Sequence, residues 1–225
     1  MKLLKNEILR TKKRMAKERL VAELTELEVV AQCVSFFTVG FDTTASTITA
    51  ALYSLGTHPE CQEKLYQEIQ ETLKCSSGDI NYDMFNSMPF LDAVVSETLR
   101  MYPALPGIAR EVGEDFMLGD TGIQLKKGME IGIPLIGMHY DPEFYPEPFK
   151  FKPERFLPEN RDSLTPFTYM PFGLGPRSCV ALRFAQMEAK LALVNLLREF
   201  RFSRSPRTTP INVFLKVEER NPQSF

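Results

Sequence analysis

The stretch Phe172–Ala185 reads FGLGPRSCVALRFA and presents one cysteine, Cys179, on a glycine-rich loop. Gly173 and Gly175 allow backbone angles and close approaches that a side chain would block, and Pro176 limits the freedom of the loop. A helical pattern begins directly after the cysteine. The thiol is therefore predicted at or near a helix N-terminus, where the helix dipole and free N–H groups favour thiolate over thiol. A thiolate held in this way is a metal ligand or a nucleophile.

This loop resembles the haem-ligand loop of the cytochrome P-450 superfamily, whose pattern is Phe-x-x-Gly-x-Arg-x-Cys-x-Gly. Phe172, Gly175, Arg177 and Cys179 match the pattern, and Ala181 stands where the family usually has glycine. The resemblance implies haem b as the cofactor, an axial thiolate from Cys179 and a haem carboxylate partner in Arg177. The residues assigned to haem binding on this basis are Phe172, Gly173, Gly175, Arg177, Cys179, Ala181 and Arg110. For the last of these, a solvated arginine at the start of a strand is the alternative.

The composition is that of an ordinary globular chain, because 44% of its 225 residues are hydrophobic and 25% are charged. The formal net charge of −2 provides no electrostatic case for binding nucleic acid. Four widely spaced cysteines and only two histidines, His58 and His139, argue against a disulfide framework, a zinc site or a histidine-based metal site. Cys33, Cys61 and Cys75 are interpreted as buried structural cysteines, and a reducing compartment fits best.

The amino-terminal residues 1–20 carry eight Lys or Arg and two Glu, without the apolar run of a signal peptide or a membrane anchor. We interpret them as a solvated helical face, with weak attraction to an anionic membrane surface as the alternative. The apolar stretch over residues 29–55 contains Gln32, Asp42 and several threonines and serines. It is therefore predicted to be a buried core helix rather than a membrane span.

Periodicity and turn signals predict a mainly α-helical chain with small β-sheets, an α+β fold. Three short strand candidates lie between residues 116 and 131, and a terminal strand is predicted over residues 213–219. We expect a single partial domain, residues 1–225. Its parts are a basic amino-terminal helix (1–24), a central helix (25–56), a helix around Glu97 (88–102), a small β region (111–137), a meander with the cysteine loop (141–181) and a carboxy-terminal helix (182–200).

Glu97 and Arg100 are three residues apart, so they share one face of a predicted helix. Such a pair is ordinarily a surface salt bridge of little value, but the helix around this pair is apolar, so partial burial is expected. Residues 97–100 (ETLR) and 153–156 (PERF) also match the Glu-x-x-Arg motif and the second arginine motif of the family. The resemblance implies a buried structural network of Glu97, Arg100 and Arg155 that locks the meander beneath the haem loop.

Residues 40–44 (GFDTT) lie in the middle of the long central helix. A glycine and threonines that bond back to the backbone weaken a helix and can open a local bulge. A packing glycine is the plain alternative for this short pattern. Its position ahead of Glu97 and Cys179 is similar to that of the family's oxygen-activation motif. The resemblance implies that Asp42 and Thr43 are the catalytic pair that relays protons during dioxygen activation.

The motifs occur in the family's order, and the chain looks most like eukaryotic microsomal members. The resemblance implies a monooxygenase that inserts one atom of dioxygen into a lipophilic small molecule, with electrons from an NADPH-dependent flavoprotein reductase. It also implies membrane association of the full-length protein at the cytosolic face of the endoplasmic reticulum. Family members are longer at the amino terminus, so we expect a partial protein that takes up haem weakly. A truncated, non-catalytic interaction module is the main alternative, and the Asp42-Thr43 pair argues against peroxide-type rearrangement.

Overall fold

The computed structural model of the chain describes residues 24–75, 82–209 and 213–220. Its α-helices and strands in these ranges are α1 (Glu26–Thr57), α2 (Pro59–Cys75), α3 (Pro89–Met101), β1 (Ile108–Glu111), β2 (Phe116–Met117), β3 (Gln124–Leu125), β4 (Glu130–Ile133), α4 (Leu135–His139), α5 (Leu182–Glu199), β5 (Phe200–Arg204) and β6 (Leu215–Glu219). The described chain is mainly α-helical with small antiparallel sheets, which confirms the predicted fold class. The basic helix predicted over residues 1–24 lies, except for its last residue, outside the described residues.

The chain divides into two compact units, residues 1–41 and 42–225, and the boundary falls inside α1. In the first unit the described side chains are exposed, so burial of the whole apolar stretch over residues 29–55 is a wrong prediction. In the second unit α1 is buried at Thr44 and again at Leu55, which has 0% exposure. An apolar sequence shows that a surface favours burial, but not which partner covers it. The single-domain organisation stays a prediction.

Helix α1 runs from Glu26 to Thr57 without interruption, so the bulge considered at residues 40–44 does not form in this described helix. The Thr47 hydroxyl donates to the Thr43 carbonyl oxygen at 2.9 Å. A carbonyl oxygen has two lone pairs, so this bond adds to the helical one instead of replacing it. A Cβ atom at Gly40 would meet no described atom within 4 Å, so packing there does not require glycine. No helix of the described ranges is long and apolar enough to cross a membrane.

The core of the second unit lies where α2, α3 and α5 pack together. Apolar residues recur every four positions along α2, and both Leu65 and Ile69 have 0% exposure. Fully burying such a side chain stabilises the fold by about 1.5–3 kcal/mol. Among the cysteines interpreted as structural, Cys61 is buried, whereas Cys33 and Cys75 are exposed. The interpretation is therefore wrong for those two, because exposure depends on the face that each residue occupies.

The N-terminus of α3 is capped by a side chain from another helix. Helix α3 begins at Pro89 after Met88, which provides no side-chain cap. Instead, the Glu68 carboxylate on α2 accepts hydrogen bonds from the backbone N–H groups of Phe90 and Leu91, both at 2.8 Å. These are two of the first-turn N–H groups that a helix cannot satisfy by itself. Glu68 therefore fixes α2 to the start of the helix that carries Glu97 and Arg100.

We expect the substitution Glu68→Ala to destabilise the chain by about 1–3 kcal/mol, because two N–H groups of nearly buried residues lose their acceptor. The measurement is urea unfolding followed by circular dichroism. Glu71→Ala is the matched control, since Glu71 is exposed on the same helix and has the same charge. That control should stay within about 0.5 kcal/mol of the unsubstituted chain. Equal losses for the two variants would show that the cap contributes nothing.

The β region differs from its predicted range of 111–137 at both ends. Strand β1 begins at Ile108 and pairs with β4 through Ile108↔Ile133 to Glu111↔Glu130. Residues Leu135–His139 form α4, and both end residues of this helix are buried. The first difference arises because four residues with two partly buried side chains are too short to show a clear alternation. The second arises because Pro134 ends the strand and precedes the helical turn.

The carboxy-terminal helix ends at Glu199, one residue before the predicted range of 182–200, because Phe200 already pairs with Glu219 in the β5–β6 sheet. The buried Gln62 side chain anchors β5. Its amide nitrogen donates to the Phe202 carbonyl oxygen at 2.8 Å, and its amide oxygen accepts from the Phe202 N–H at 2.9 Å. One side chain thus pairs with both backbone groups of a strand residue, as a neighbouring strand would.

Candidate functional site

Cys179 is exposed on a loop whose backbone is held by internal hydrogen bonds. Its N–H donates to the Phe172 carbonyl oxygen at 2.9 Å, and the Gly173 N–H donates to the Met170 carbonyl oxygen at 2.9 Å. Gly173 and Gly175 have φ angles of 70° and 77°, in the left-handed region that favours glycine. The loop is therefore a closed turn that presents the thiol outward, and both glycines are needed for its shape.

Helix α5 begins shortly after the cysteine. Ala181 is its N-cap residue, and the Ala181 carbonyl oxygen accepts the Ala185 N–H at 2.8 Å. The Ala181 backbone has φ −95° and ψ 12°, which any residue adopts, so the alanine in place of the family's glycine causes no backbone strain. Cys179 lies two residues before the N-cap, and its carbonyl oxygen accepts the Leu182 N–H at 3.4 Å. The thiol is thus close to the positive end of the helix.

The surroundings of the thiol fit a flat apolar group with carboxylates. Leu174, Val180 and Phe184 are apolar and exposed, at 47%, 85% and 61%. Arg110 reaches the same loop, since its Nη2 atom lies 3.8 Å from the position that a Cβ atom on Gly173 would occupy. A sulfur donor, exposed apolar side chains and a nearby guanidinium are groups that could hold the iron, the ring and the carboxylates of a haem.

The remaining predicted site residues lie on the loop and on α1. Phe172 is partly buried and packs against the main core, so it ties the loop to the body of the second unit. Arg177 is exposed at the end of the 3-10 turn Gly175–Arg177. Asp42, exposed, and Thr43, partly buried, stand on α1. Their catalytic relation to Cys179 stays a prediction.

Glu97 and Arg100 form a fully buried ion pair with 0% exposure on both side chains. The Arg100 Nε donates to Glu97 Oε2 at 2.7 Å, and Nη2 donates to Oε1 at 2.9 Å, a two-point geometry that strengthens the pair. The guanidinium also donates to the carbonyl oxygens of His139 at 2.7 Å and Pro148 at 2.8 Å. Arg100 therefore joins α3 to α4 and to the meander.

Arg155 lies beside the same carboxylate. Its Nε atom is 3.5 Å from Glu97 Oε1, and its side chain is 12% exposed. Its Nη2 atom donates to the Glu147 carbonyl oxygen at 3.0 Å. The backbone N–H of Lys152 also donates to Glu97 Oε1 at 2.9 Å. The structure thus brings together the three residues of the predicted network, and their functional role stays a prediction.

His139 is a member of this cluster that the sequence analysis missed. It is 0% exposed, and its Nδ1 atom lies 3.0 Å from the carbonyl oxygen of Arg100. Two hydrogen bonds therefore join these residues. The Arg100 guanidinium donates to the His139 carbonyl oxygen, and the His139 ring bonds to the Arg100 carbonyl oxygen. Burial lowers the pKa of His139 from 6.5 to about 4, and the neighbouring Arg100 charge acts in the same direction. The only sequence signal was a histidine four residues after Leu135 in an apolar segment.

We expect the chain to lose stability as the pH falls from about 6.5 to about 4 because of His139. In this range the unfolded chain binds a proton that the folded chain excludes, so stability falls with the pH. At about 1.4 kcal/mol for each pKa unit, the loss is roughly 2–4 kcal/mol. Urea unfolding of the unsubstituted chain and of His139→Gln at about pH 7 and about pH 4.5 measures it, because carboxylate effects cancel in the double difference. Identical pH dependences would contradict the assignment.

Comparison with known proteins shows which family this chain is similar to. The family model described as cytochrome P-450 matches residues 2–221. The chain is 40% identical over 217 residues to the probable cytochrome P-450 6a13 of Drosophila melanogaster, covering 96% of this chain and 43% of the relative. It is 40% identical over 215 residues to cytochrome P-450 6l1 of Blattella germanica, with coverages of 93% and 42%.

A relative from Mus musculus matches a shorter part of the chain at a comparable identity. The chain is 43% identical over 185 residues to cytochrome P-450 3A41 of Mus musculus, covering 82% of this chain and 36% of the relative. The chain spans about two-fifths of the length of these curated relatives. The family model covers nearly all of the chain, and its match includes the cysteine loop and the buried ion pair. The chain therefore belongs to the cytochrome P-450 family.

Proposed function

We propose that this chain is the haem-carrying, carboxy-terminal portion of a haem-thiolate monooxygenase, with Cys179 as the axial ligand of haem b. The observation that carries the proposal is the exposed thiol on a loop shaped by two left-handed glycines. A structural cysteine would be buried among apolar residues, whereas this one is accessible to a ligand. Membership of the family supports the same conclusion.

The residues around the loop have separate tasks in this proposal. When bound, haem with a thiolate ligand supplies the activation of dioxygen, since the thiolate favours O–O cleavage. Phe172 connects the loop to the core, and the exposed Leu174 and Val180 exclude water from the apolar ring. Arg110 and Arg177 bind the haem carboxylates by charge-assisted hydrogen bonds.

Asp42 and Thr43 are proposed to deliver protons. The exposed Asp42 carboxylate exchanges protons with water, and the adjacent Thr43 hydroxyl both accepts and donates a proton. General acid catalysis of this kind contributes about 10²–10⁴-fold to a rate.

The chemistry also requires partners. An NADPH-dependent flavoprotein reductase is proposed as the electron donor, with dioxygen and a lipophilic small molecule as substrates. Gly173 and Gly175 lack the remaining glycine and the preceding strand of a dinucleotide-binding fingerprint, so the loop itself is not a nicotinamide site. Resemblance to eukaryotic microsomal members supports the cytosolic face of the endoplasmic reticulum membrane as the location.

Haem titration tests the proposal and separates it from a non-catalytic interaction module. The two proteins are this chain and a chimera in which the amino-terminal part of the Blattella germanica relative precedes it. We expect thiolate-type haem binding by both, weaker in the short chain, and reductase-supported oxidation by the chimera. Tight binding and turnover by the short chain alone would make it a minimal enzyme. Absence of thiolate-bound haem in both proteins would overturn the monooxygenase and favour the interaction module.

A further inference from the structure

The imidazole of His139 lies between α3 and the start of the cysteine loop. Its Nδ1 atom is 3.0 Å from the Arg100 carbonyl oxygen, and the Met170 backbone nitrogen is 3.5 Å from its Nε2 atom. The ring has 0% exposure, stacks on Tyr169 with centroids 5.8 Å apart and meets Tyr145 edge-on at 6.3 Å. The imidazole therefore has a partner at each ring nitrogen and packs against two aromatic rings.

The two partners determine where the imidazole carries its proton. A carbonyl oxygen only accepts, so Nδ1 must be the donor toward Arg100. A backbone N–H only donates, so Nε2 must present its lone pair to Met170. A single neutral tautomer satisfies both bonds. A proton on Nε2 would face the Met170 N–H and would lose that contact.

Met170 connects this ring to the cysteine loop. Its N–H is bonded to His139, and its carbonyl oxygen accepts the Gly173 N–H at 2.9 Å. Phe172, next to Gly173, accepts the Cys179 N–H at 2.9 Å. Arg100 in turn donates from its guanidinium to the His139 carbonyl oxygen at 2.7 Å. These hydrogen bonds, together with the His139 side chain and the Phe172–Gly173 peptide bond, form a continuous path from the buried ion pair to Cys179.

We propose that His139 is a positioning residue for the cysteine loop, and that its neutral Nδ1–H tautomer sets the loop against α3 through Met170. The inference rests on the proposed function, because the loop is taken to be the haem-ligand loop. The hydrogen bonds and ring contacts of the His139 side chain go to Arg100, Met170, Tyr145 and Tyr169, so its effect on ligation by Cys179 is indirect. The loop then keeps its position against α3 only while the imidazole is neutral.

The groups around the ring explain why a charged imidazole is excluded. The charged or titratable groups around it, among the described residues, are the Arg100 guanidinium from α3, whose charge acts on the imidazole, and the phenols of Tyr145 and Tyr169 from the segments before the loop. The Tyr169 hydroxyl donates to the Ser96 carbonyl oxygen at 3.1 Å, and the Tyr145 hydroxyl pairs with Thr168 at 3.3 Å. A second ring N–H would therefore meet a donor and a nearby positive charge.

Two amide substitutions at position 139 separate the two bonds. His139→Asn keeps a donor at the place of Nδ1 and removes the acceptor for Met170. His139→Gln is longer and retains an amide oxygen near the place of Nε2. Hydrogen exchange of the haem-free chain, resolved by peptide, is measured over residues 168–181 and over α3. We expect His139→Asn to accelerate exchange in the loop by about fivefold, with α3 changed less than twofold. His139→Gln loses the bond to the Arg100 carbonyl oxygen but keeps the acceptor for Met170, so it should change exchange in the loop less than twofold.

Uniform acceleration in all peptides, or equal loop exchange in both variants, would overturn the proposal and leave His139 a general stability residue. If His139→Asn does not fold, the tautomer decides the question in the unsubstituted chain. The chain has only two histidines, so a long-range ¹H–¹⁵N spectrum assigns each ring with a single His58 variant. We expect His139 protonated at Nδ1; a proton on Nε2 would overturn the proposal. None of these readouts uses haem, so failure of haem binding would count against the proposed function alone.

Discussion

Replacing Glu97 with alanine is expected to destabilise this chain by a large fraction of its folding free energy. Without the carboxylate, Arg100 stays 0% exposed with two of its N–H groups unsatisfied, and the Lys152 N–H also loses its acceptor. Removing one member of a buried ion pair costs about 3–5 kcal/mol. Whole domains are stable by only about 5–15 kcal/mol. Circular dichroism during thermal and urea unfolding measures the loss.

The control for this prediction is an exposed ion pair in the same chain. Asp115 contacts Lys126 at 2.8 Å, but the two side chains are 54% and 56% exposed. Asp115→Ala should cost much less than Glu97→Ala, because both members of this pair are exposed to solvent. Arg155→Ala should fall between the two, since Arg155 is 12% exposed and lies 3.5 Å from Glu97. A loss below about 1 kcal/mol for Glu97→Ala would show that the carboxylate is solvated and that the buried network is not formed.

Cys179→Ala is expected to abolish thiolate-type haem ligation. The other described cysteines are Cys33 and Cys75, which lie on α1 and α2, and the buried Cys61. Burial raises the pKa of Cys61 to about 11, so its thiolate is disfavoured. The measurement is the absorption spectrum of the reduced, carbon monoxide-bound protein, in the chimera with the amino-terminal part of the relative. A thiolate-type Soret band that persists in Cys179→Ala would refute the assignment.

The matched control is Cys75→Ala, which removes another exposed thiol and should leave the spectrum unchanged. The haem-free Cys179→Ala chain should unfold within about 1 kcal/mol of the unsubstituted chain, because an exposed thiol contributes little packing. A large loss of stability in the haem-free variant would instead identify Cys179 as a structural residue. The two measurements together distinguish a ligand from a packing residue.

Two local features of the candidate site could be predicted from the sequence. The glycines around Cys179 predicted a tight loop, and both adopt left-handed angles. A spacing of three residues predicted one helical face for Glu97 and Arg100, and the two side chains form a two-point ion pair. These features depend on residues close together in the chain, where backbone geometry and helical periodicity determine which groups meet.

Tertiary structure decided which distant groups complete these local features. Glu68 caps α3 across 22 residues, and Gln62 pairs with Phe202 across 140 residues. The imidazole of His139 bonds to Arg100 across 39 residues and to Met170 across 31 residues. A buried polar group must find a partner, but periodicity does not specify one so far away, because the partner is selected by how helices and loops pack. The sequence by itself therefore determined the cysteine loop and the ion pair, and only the packing decided that His139 lies between them, within hydrogen-bond distance of Arg100 and Met170.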